Sequence, residues 1–148
     1  MKKQKIMKWA LPALLMSAMT FELMPGSVQY FAKDLVATPE SVGYNFFTVE
    51  AESVAASCLP IAGVVTFVVL VLALVAACFK KDGLYKGISW GSLAAAALAA
   101  APYFTVSENE FVQPNVMTIL ILMACWILTM VIDKQKKSMT EEYEGRRL

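Results

Sequence analysis

The sequence predicts an all-α membrane protein: a four-helix transmembrane bundle, N-in/C-in, with a small extracytoplasmic cap containing a short β-hairpin. Three observations predict it. First, 58% of the 148 residues are hydrophobic and the mean hydropathy is +0.58, whereas a soluble domain is about half apolar even with glycine counted. Second, four stretches of about 20 residues are long enough to cross a bilayer as helices. Third, twelve of the thirteen basic residues fall on one side of a four-span layout. The whole chain is expected to form a single polytopic membrane domain, 1–148, with spans at 6–24, 59–79, 87–106 and 114–132. Residues 25–57 form its outer loop and 133–148 its cytoplasmic tail.

The N-terminal segment carries Lys2, Lys3, Lys5 and Lys8 and leads into the apolar run from Trp9 to Phe21. Two readings fit it. A basic start, a short apolar core and small residues near Ser17 and Ala18 have the form of a secretory signal peptide cleaved near residue 20. A retained helix, Ile6–Met24, spans about 28 Å at 1.5 Å per residue. The absence of a clean A-x-A site favours the retained helix. Glu22 is then the one acid inside a span. Buried charge in a bilayer is costly, so Glu22 is a candidate ion or proton site. Its place near the outer boundary, beside Met24 and Pro25, also fits an anchor that reaches water.

Residues 25–57 hold Asp34, Glu40, Glu50 and Glu52 against Lys33 alone. Ser27–Ala32 and Tyr44–Val49 are rich in aromatic and β-branched residues, with Thr38, Pro39, Glu40, Ser41 and Gly43 as turn material between them. This pattern predicts two short strands, paired as a hairpin. Tyr30, Phe31, Tyr44, Phe46 and Phe47 are compatible with an interfacial aromatic belt. Glu50–Ser57 contains good helix formers and is expected to start the next helix above the membrane.

Leu59–Phe79 is the strongest span, without a charge. Pro60 near its start costs little, since the first N–H groups of a helix lack partners anyway. Lys80–Lys86 closes it as a tight basic loop. The next span begins with Gly87–Ala101 (GISWGSLAAAALAAA) and continues to Val106. Gly87, Gly91, Ala95 and Ala99 form one row of small residues, and Ser92, Ala96 and Ala100 the row beside it. In lipid, helices associate where small residues allow close backbone contact. This is therefore the helix the others are expected to pack against, with Gly87, Gly91, Ala95 and Ala99 as its packing residues. An acidic link with Glu108 and Glu110 follows, then Pro114–Ile132, with Trp90, Trp126 and Tyr103 as interface or packing aromatics. The charged tail 133–148 is expected to begin as a helix extension and fray.

Orientation follows from the basic residues. The N-terminal segment, the Lys80–Lys86 loop and the tail hold all but Lys33. The positive-inside rule places these three in the cytoplasm and the protein in the cell membrane, multi-pass, with both termini inside. Seven of the twelve acids lie on the other side. The layout is similar to claudin-type proteins in topology alone. Their first loop carries a tryptophan and a cysteine pair. This loop has no tryptophan, its one cysteine is Cys58 at the far edge, and no function is carried over.

Histidine is absent, which argues against His-ligated metal sites and His-assisted nucleophilic catalysis. Cys58 and Cys78 lie near opposite ends of one helix, about 30 Å apart, too far for a disulfide. They and Cys125 are expected as small buried apolar residues. No P-loop, dinucleotide, zincin or nucleophile-elbow motif occurs. No catalytic residue, cofactor or metal is expected. The basic residues adjoin apolar segments, which excludes a nucleic-acid surface. The expected partners are the lipid bilayer and either a second copy of the chain or another membrane protein. The favoured activity is that of a non-enzymatic structural or accessory protein, acting through the outer loop or helix–helix association. The alternative is a small homo-oligomeric transporter or channel using Glu22.

Overall fold

Most of each of the four apolar stretches lies in a helix, but the last begins later than expected: Pro114 ends a strand and Asn115 caps the helix. The computed structural model describes residues 2–32, 44–48, 54–105 and 110–147. Its helices are α1 (Lys2–Leu23), α2 (Val54–Phe79), α3 (Leu84–Phe104) and α4 (Val116–Gly145). Two short strands, β1 (Val28–Ala32) and β2 (Glu110–Pro114), follow α1 and precede α4. Three helices are long and apolar enough to cross a membrane: Lys5–Leu23 of α1, Ser57–Phe79 of α2, and α4. The Ala-rich α3 is not among them, because alanine, glycine and serine are less apolar than the valine and leucine that fill α2.

The helices close into a ring. α1 packs on α2 and α4, and α3 packs on the same two. Seven alanines, Ala18, Ala62, Ala73, Ala76, Ala95, Ala96 and Ala99, are buried beside larger residues such as Leu15, Ile88 and Leu122. Many other large apolar side chains face outward, among them Ile61, Val64, Phe67 and Val71 on α2, and Leu120 and Ile127 on α4. Exposed apolar surface on that scale is unusual for a water-soluble domain. Close-packed alanines between helices are what association in lipid favours.

Leu11, Leu15 and Ala18 of α1 belong to the main core with Leu122 and Cys125 of α4. α1 is therefore part of the packed unit. α2 begins at Val54, so Pro60 lies inside the helix and not in its first turn; residues 50–53 of the expected helix start lie outside the described residues. No two of the three cysteines form a disulfide, and only Cys125 is buried, while Cys58 is half-buried and Cys78 faces outward. The tail does not fray as expected: α4 runs on to Gly145, helped by the Lys137–Asp133 pair at 3.8 Å and the Arg146–Glu142 pair at 2.6 Å. Such i,i+4 pairs each contribute a few tenths of a kcal/mol.

The expected hairpin between 27–32 and 44–49 is replaced by a different pairing. β1 pairs antiparallel with β2, from Val28↔Pro114 to Ala32↔Glu110. The second segment supplies one bridge, Tyr44 to Val28. Asn45 explains why it goes no further. Its Oδ1 accepts from the N–H groups of Phe47 and Thr48, at 2.9 and 3.0 Å. This side-chain turn bends the chain where a strand would extend it. Thr38–Ser41, Gly43, Lys33, Asp34, Glu40, Glu50, Glu52 and Glu108 lie outside the described residues.

At the other end of the helices, Asp82 in the α2–α3 turn joins three elements. Lys8 of α1 lies 3.5 Å from its carboxylate, and Lys136 of α4 forms a second ion pair with it. The Lys136 ammonium also sits 4.8 Å from the centroid of the Tyr85 ring. The hydrogen bond from Lys136, aided by both lysine charges, holds the Asp82 carboxyl below its usual range. A group with a depressed folded-state pKa contributes stability above its unfolded value, about 3.9, and loses it as the pH falls through the folded value. Asp82→Asn is therefore expected to lower stability at pH 7 by no more than about 1 kcal/mol, since the side chain is 56% exposed and screened. Thermal unfolding at stepped pH should show the gap to the parent closing below about pH 4. A gap that stays constant with pH would count against this ion-paired turn.

Candidate functional site

α1 ends in a knot of backbone bonds supplied by residues 26–28, 44–46 and 115. After Leu23 the chain turns at Gly26, whose φ of 85° lies in the left-handed region that favours glycine. The N–H groups of Gly26 and Val28 both donate to the Tyr44 carbonyl, each at 3.1 Å. The last carbonyls of a helix need outside donors. Here the Phe46 N–H donates to Glu22 O at 3.1 Å, and Asn45 Nδ2 donates to Leu23 O at 3.3 Å. Ser27 Oγ adds a longer bond to Glu22 O at 3.4 Å. The Asn115 N–H donates to Ser27 O at 2.8 Å, and Asn115 Oδ1 accepts from the Met117 N–H at 2.9 Å as the N-cap of α4. Tyr103 at the end of α3 donates its hydroxyl to the Pro114 carbonyl. These segments thus tie the ends of α1, α3 and α4 together.

Beneath this knot lies Glu22. The sequence placed it where an anchor could reach water, but its exposure is 0%. The burial comes from outside its own helix. α2 rises past the end of α1 and packs Leu59 and Ala62 against Val28, Phe46, Ala99 and Val112. That second apolar cluster closes this end of the helices. The partly exposed Phe47 lies outside that cluster and sets its ring against Gly63 of α2, leaving no room there for a Cβ.

Glu22 Oε1 lies 2.8 Å from Thr66 Oγ1, which is also 2.9 Å from the Ala62 carbonyl oxygen. One hydroxyl hydrogen faces two acceptors. Thr66 shares it between the Glu22 carboxyl and the Ala62 carbonyl. Glu22 Oε2 has no partner among the described residues. The charged form would leave an uncompensated carboxylate in an apolar shell, which is the costly arrangement.

The small-residue row of α3 divides. Ala95 and Ala99 are fully buried. Gly91 meets α2 so closely that a Cβ would stand 2.3 Å from Val69 Cγ2, whereas a Cβ on Gly87 would meet nothing within 4 Å. Of the other hydroxyls, Ser17, Thr20 and Thr129 bond the carbonyl four residues back in their own helices, as such residues usually do. Ser92 and Thr118 are buried with no partner for their hydroxyls among the described residues.

Thr66 and Asp82 carry contacts that the sequence reading did not single out. Both had a signal. Thr66 is the one hydroxyl in the run Leu59–Phe79, and Asp82 is the one acid in the basic Lys80–Lys86 loop. Of the candidate residues, Glu22 and the α3 row do not form one constellation. Glu22 pairs with α2, and Gly91 packs against a different part of the same helix. The sequence matches no family model, and comparison with curated proteins and with solved structures finds no match either.

Proposed function

We propose that the chain is a small polytopic protein of the cell membrane, a four-helix bundle with both termini in the cytoplasm, acting as a non-enzymatic structural or accessory component. The observation that carries this reading is the outer knot. Backbone bonds from Tyr44, Phe46 and Asn115 lock the described parts of the cap, residues 25–32 and 44–48, to the helix ends, and we read these parts as a fixed surface for a second copy or another membrane protein. The charge asymmetry supports the orientation. The length of α3, 21 residues or about 31 Å at 1.5 Å each, supports a fourth span.

The unpartnered Oε2 of Glu22 favours one second reading, a small homo-oligomeric transporter or channel. One experiment separates the two. Purified protein is reconstituted in liposomes, and proton and monovalent-cation flux is compared between the parent, Glu22→Gln and empty vesicles. The accessory reading expects equal leak in all three. Flux that is present in the parent and lost in Glu22→Gln overturns it in favour of transport.

A further inference from the structure

The geometry points to a binding site for one anionic phospholipid in the groove between α3 and α4, at their basic end. This rests on the reading of the chain as a membrane protein. The groove encloses about 360 Å³, near the lower end of ligand-site volumes, so it takes a headgroup and the upper part of one acyl chain and not a whole lipid.

Its lining changes character along its length. Leu93, Trp126 and Met130 line the part nearer the middle of the helices, with Trp90 beside them. Lys86, Lys134 and Lys137 line the other end. Trp90 is 69% exposed, so its ring stands at the open side. The change falls where α4 passes from its apolar stretch into its charged extension, between Met130 and Asp133.

The charges at that end are uneven. Asp133 is its one acid, and it pairs loosely with Lys137 at 3.8 Å. Among the described residues, Lys86 and Lys134 have no acidic group within salt-bridge distance, in contrast to Lys8 and Lys136, which share Asp82. Two uncompensated ammonium groups therefore stand over an apolar slot, with Ser89 and Thr129 also lining the groove. Basic pockets between spanning helices on the cytoplasmic side suit phosphate-bearing headgroups, and each lysine near such a surface adds to the attraction. Tryptophan at the polar–apolar boundary suits the glycerol region. A zwitterionic headgroup would bring its own cation against Lys86 and Lys134 and gain less.

The test uses tryptophan fluorescence of the full chain in liposomes. Trp9→Phe leaves Trp90 and Trp126, both in the groove, as the reporters. Brominated phosphatidylglycerol and brominated phosphatidylcholine are compared at equal mole fraction. The expected result is a roughly tenfold preference for the anionic quencher, relieved by unlabelled phosphatidylglycerol and not by inorganic phosphate. K86Q/K134Q/K137Q is expected to bring the ratio to about one, while K80Q/K81Q in the neighbouring loop keeps it. Equal quenching by the two lipids in the parent overturns the site while leaving the membrane reading intact. Equal loss in both lysine variants assigns the preference to diffuse charge, and displacement by phosphate assigns it to a soluble anion; either overturns the site. Absence of quenching by both lipids overturns the membrane reading with it. Should the triple variant fail to fold, the competition in the parent still decides.

Discussion

Glu22→Lys is expected to be among the most damaging single substitutions in the chain, lowering stability by about 3–5 kcal/mol or preventing folding. Glu22→Gln is expected to cost about 1 kcal/mol or less, because an amide has nearly the shape of a carboxyl and keeps an oxygen to accept from Thr66. Glu22→Ala should fall between them. It removes the carboxyl and leaves a void, but Thr66 retains the Ala62 carbonyl at 2.9 Å and is not orphaned. The order follows from what surrounds the side chain. The carboxyl has 0% exposure and one hydroxyl partner, so a lysine ammonium would enter the same space with no counter-charge. The measurement is unfolding of the purified protein in micelles, titrated with denaturing detergent and followed by circular dichroism. If Lys and Gln prove equally stable, the carboxyl position reaches water and the sealed site is wrong. Because Glu22→Gln is expected to fold, the liposome flux experiment can be interpreted.

The contrast between Glu22 and the helices shows what a sequence of this kind displays. A span is local: about 20 residues with little charge suffice, and α2 and α4 follow directly from Leu59–Phe79 and Pro114–Ile132. The burial of Glu22 is not local. Its carboxyl meets Thr66 of α2, and its carbonyl accepts from Phe46 and Ser27, none of them on α1. Counting along α1 alone gives the right position for Glu22 and the wrong surroundings. The strand pairing has the same character. β1 was visible as an aromatic and β-branched run, but its partner β2 follows α3 in the chain. β2 holds Pro114 and the polar residues Glu110 and Gln113, which dilute the strand pattern. The nearer candidate, Tyr44–Val49, carried the stronger strand composition, yet Asn45 turned it. Asp82 shows a third limit, since a single acid among lysines reads as loop charge until the fold brings Lys8 and Lys136 to it.

The small-residue row on α3 leads to the second large effect, in which two glycines four residues apart respond with opposite sign. Gly91→Ala places a methyl where Val69 Cγ2 already stands, 2.3 Å from the new atom. Val69 cannot simply swing aside, because a β-branched side chain in a helix keeps one strongly preferred χ1. Either α2 and α3 separate or the valine takes a strained rotamer, and overpacking of this kind costs about 1–3 kcal/mol. The gain of up to about 1 kcal/mol from replacing glycine in a helix offsets part of that. Gly87→Ala collects the same gain with nothing within 4 Å to oppose it, so it should be neutral to stabilising. A row that merely made α3 alanine-like would give equal effects at both positions. The double variant Val69→Ala/Gly91→Ala supplies the decisive comparison, since the shortened residue 69 leaves room for the new methyl. The two substitutions should then be coupled by about 0.5–3 kcal/mol in the rescuing direction, measured by the same detergent unfolding. Additive costs would mean that Val69 is not what Gly91 makes room for, and that the α2–α3 approach is set elsewhere.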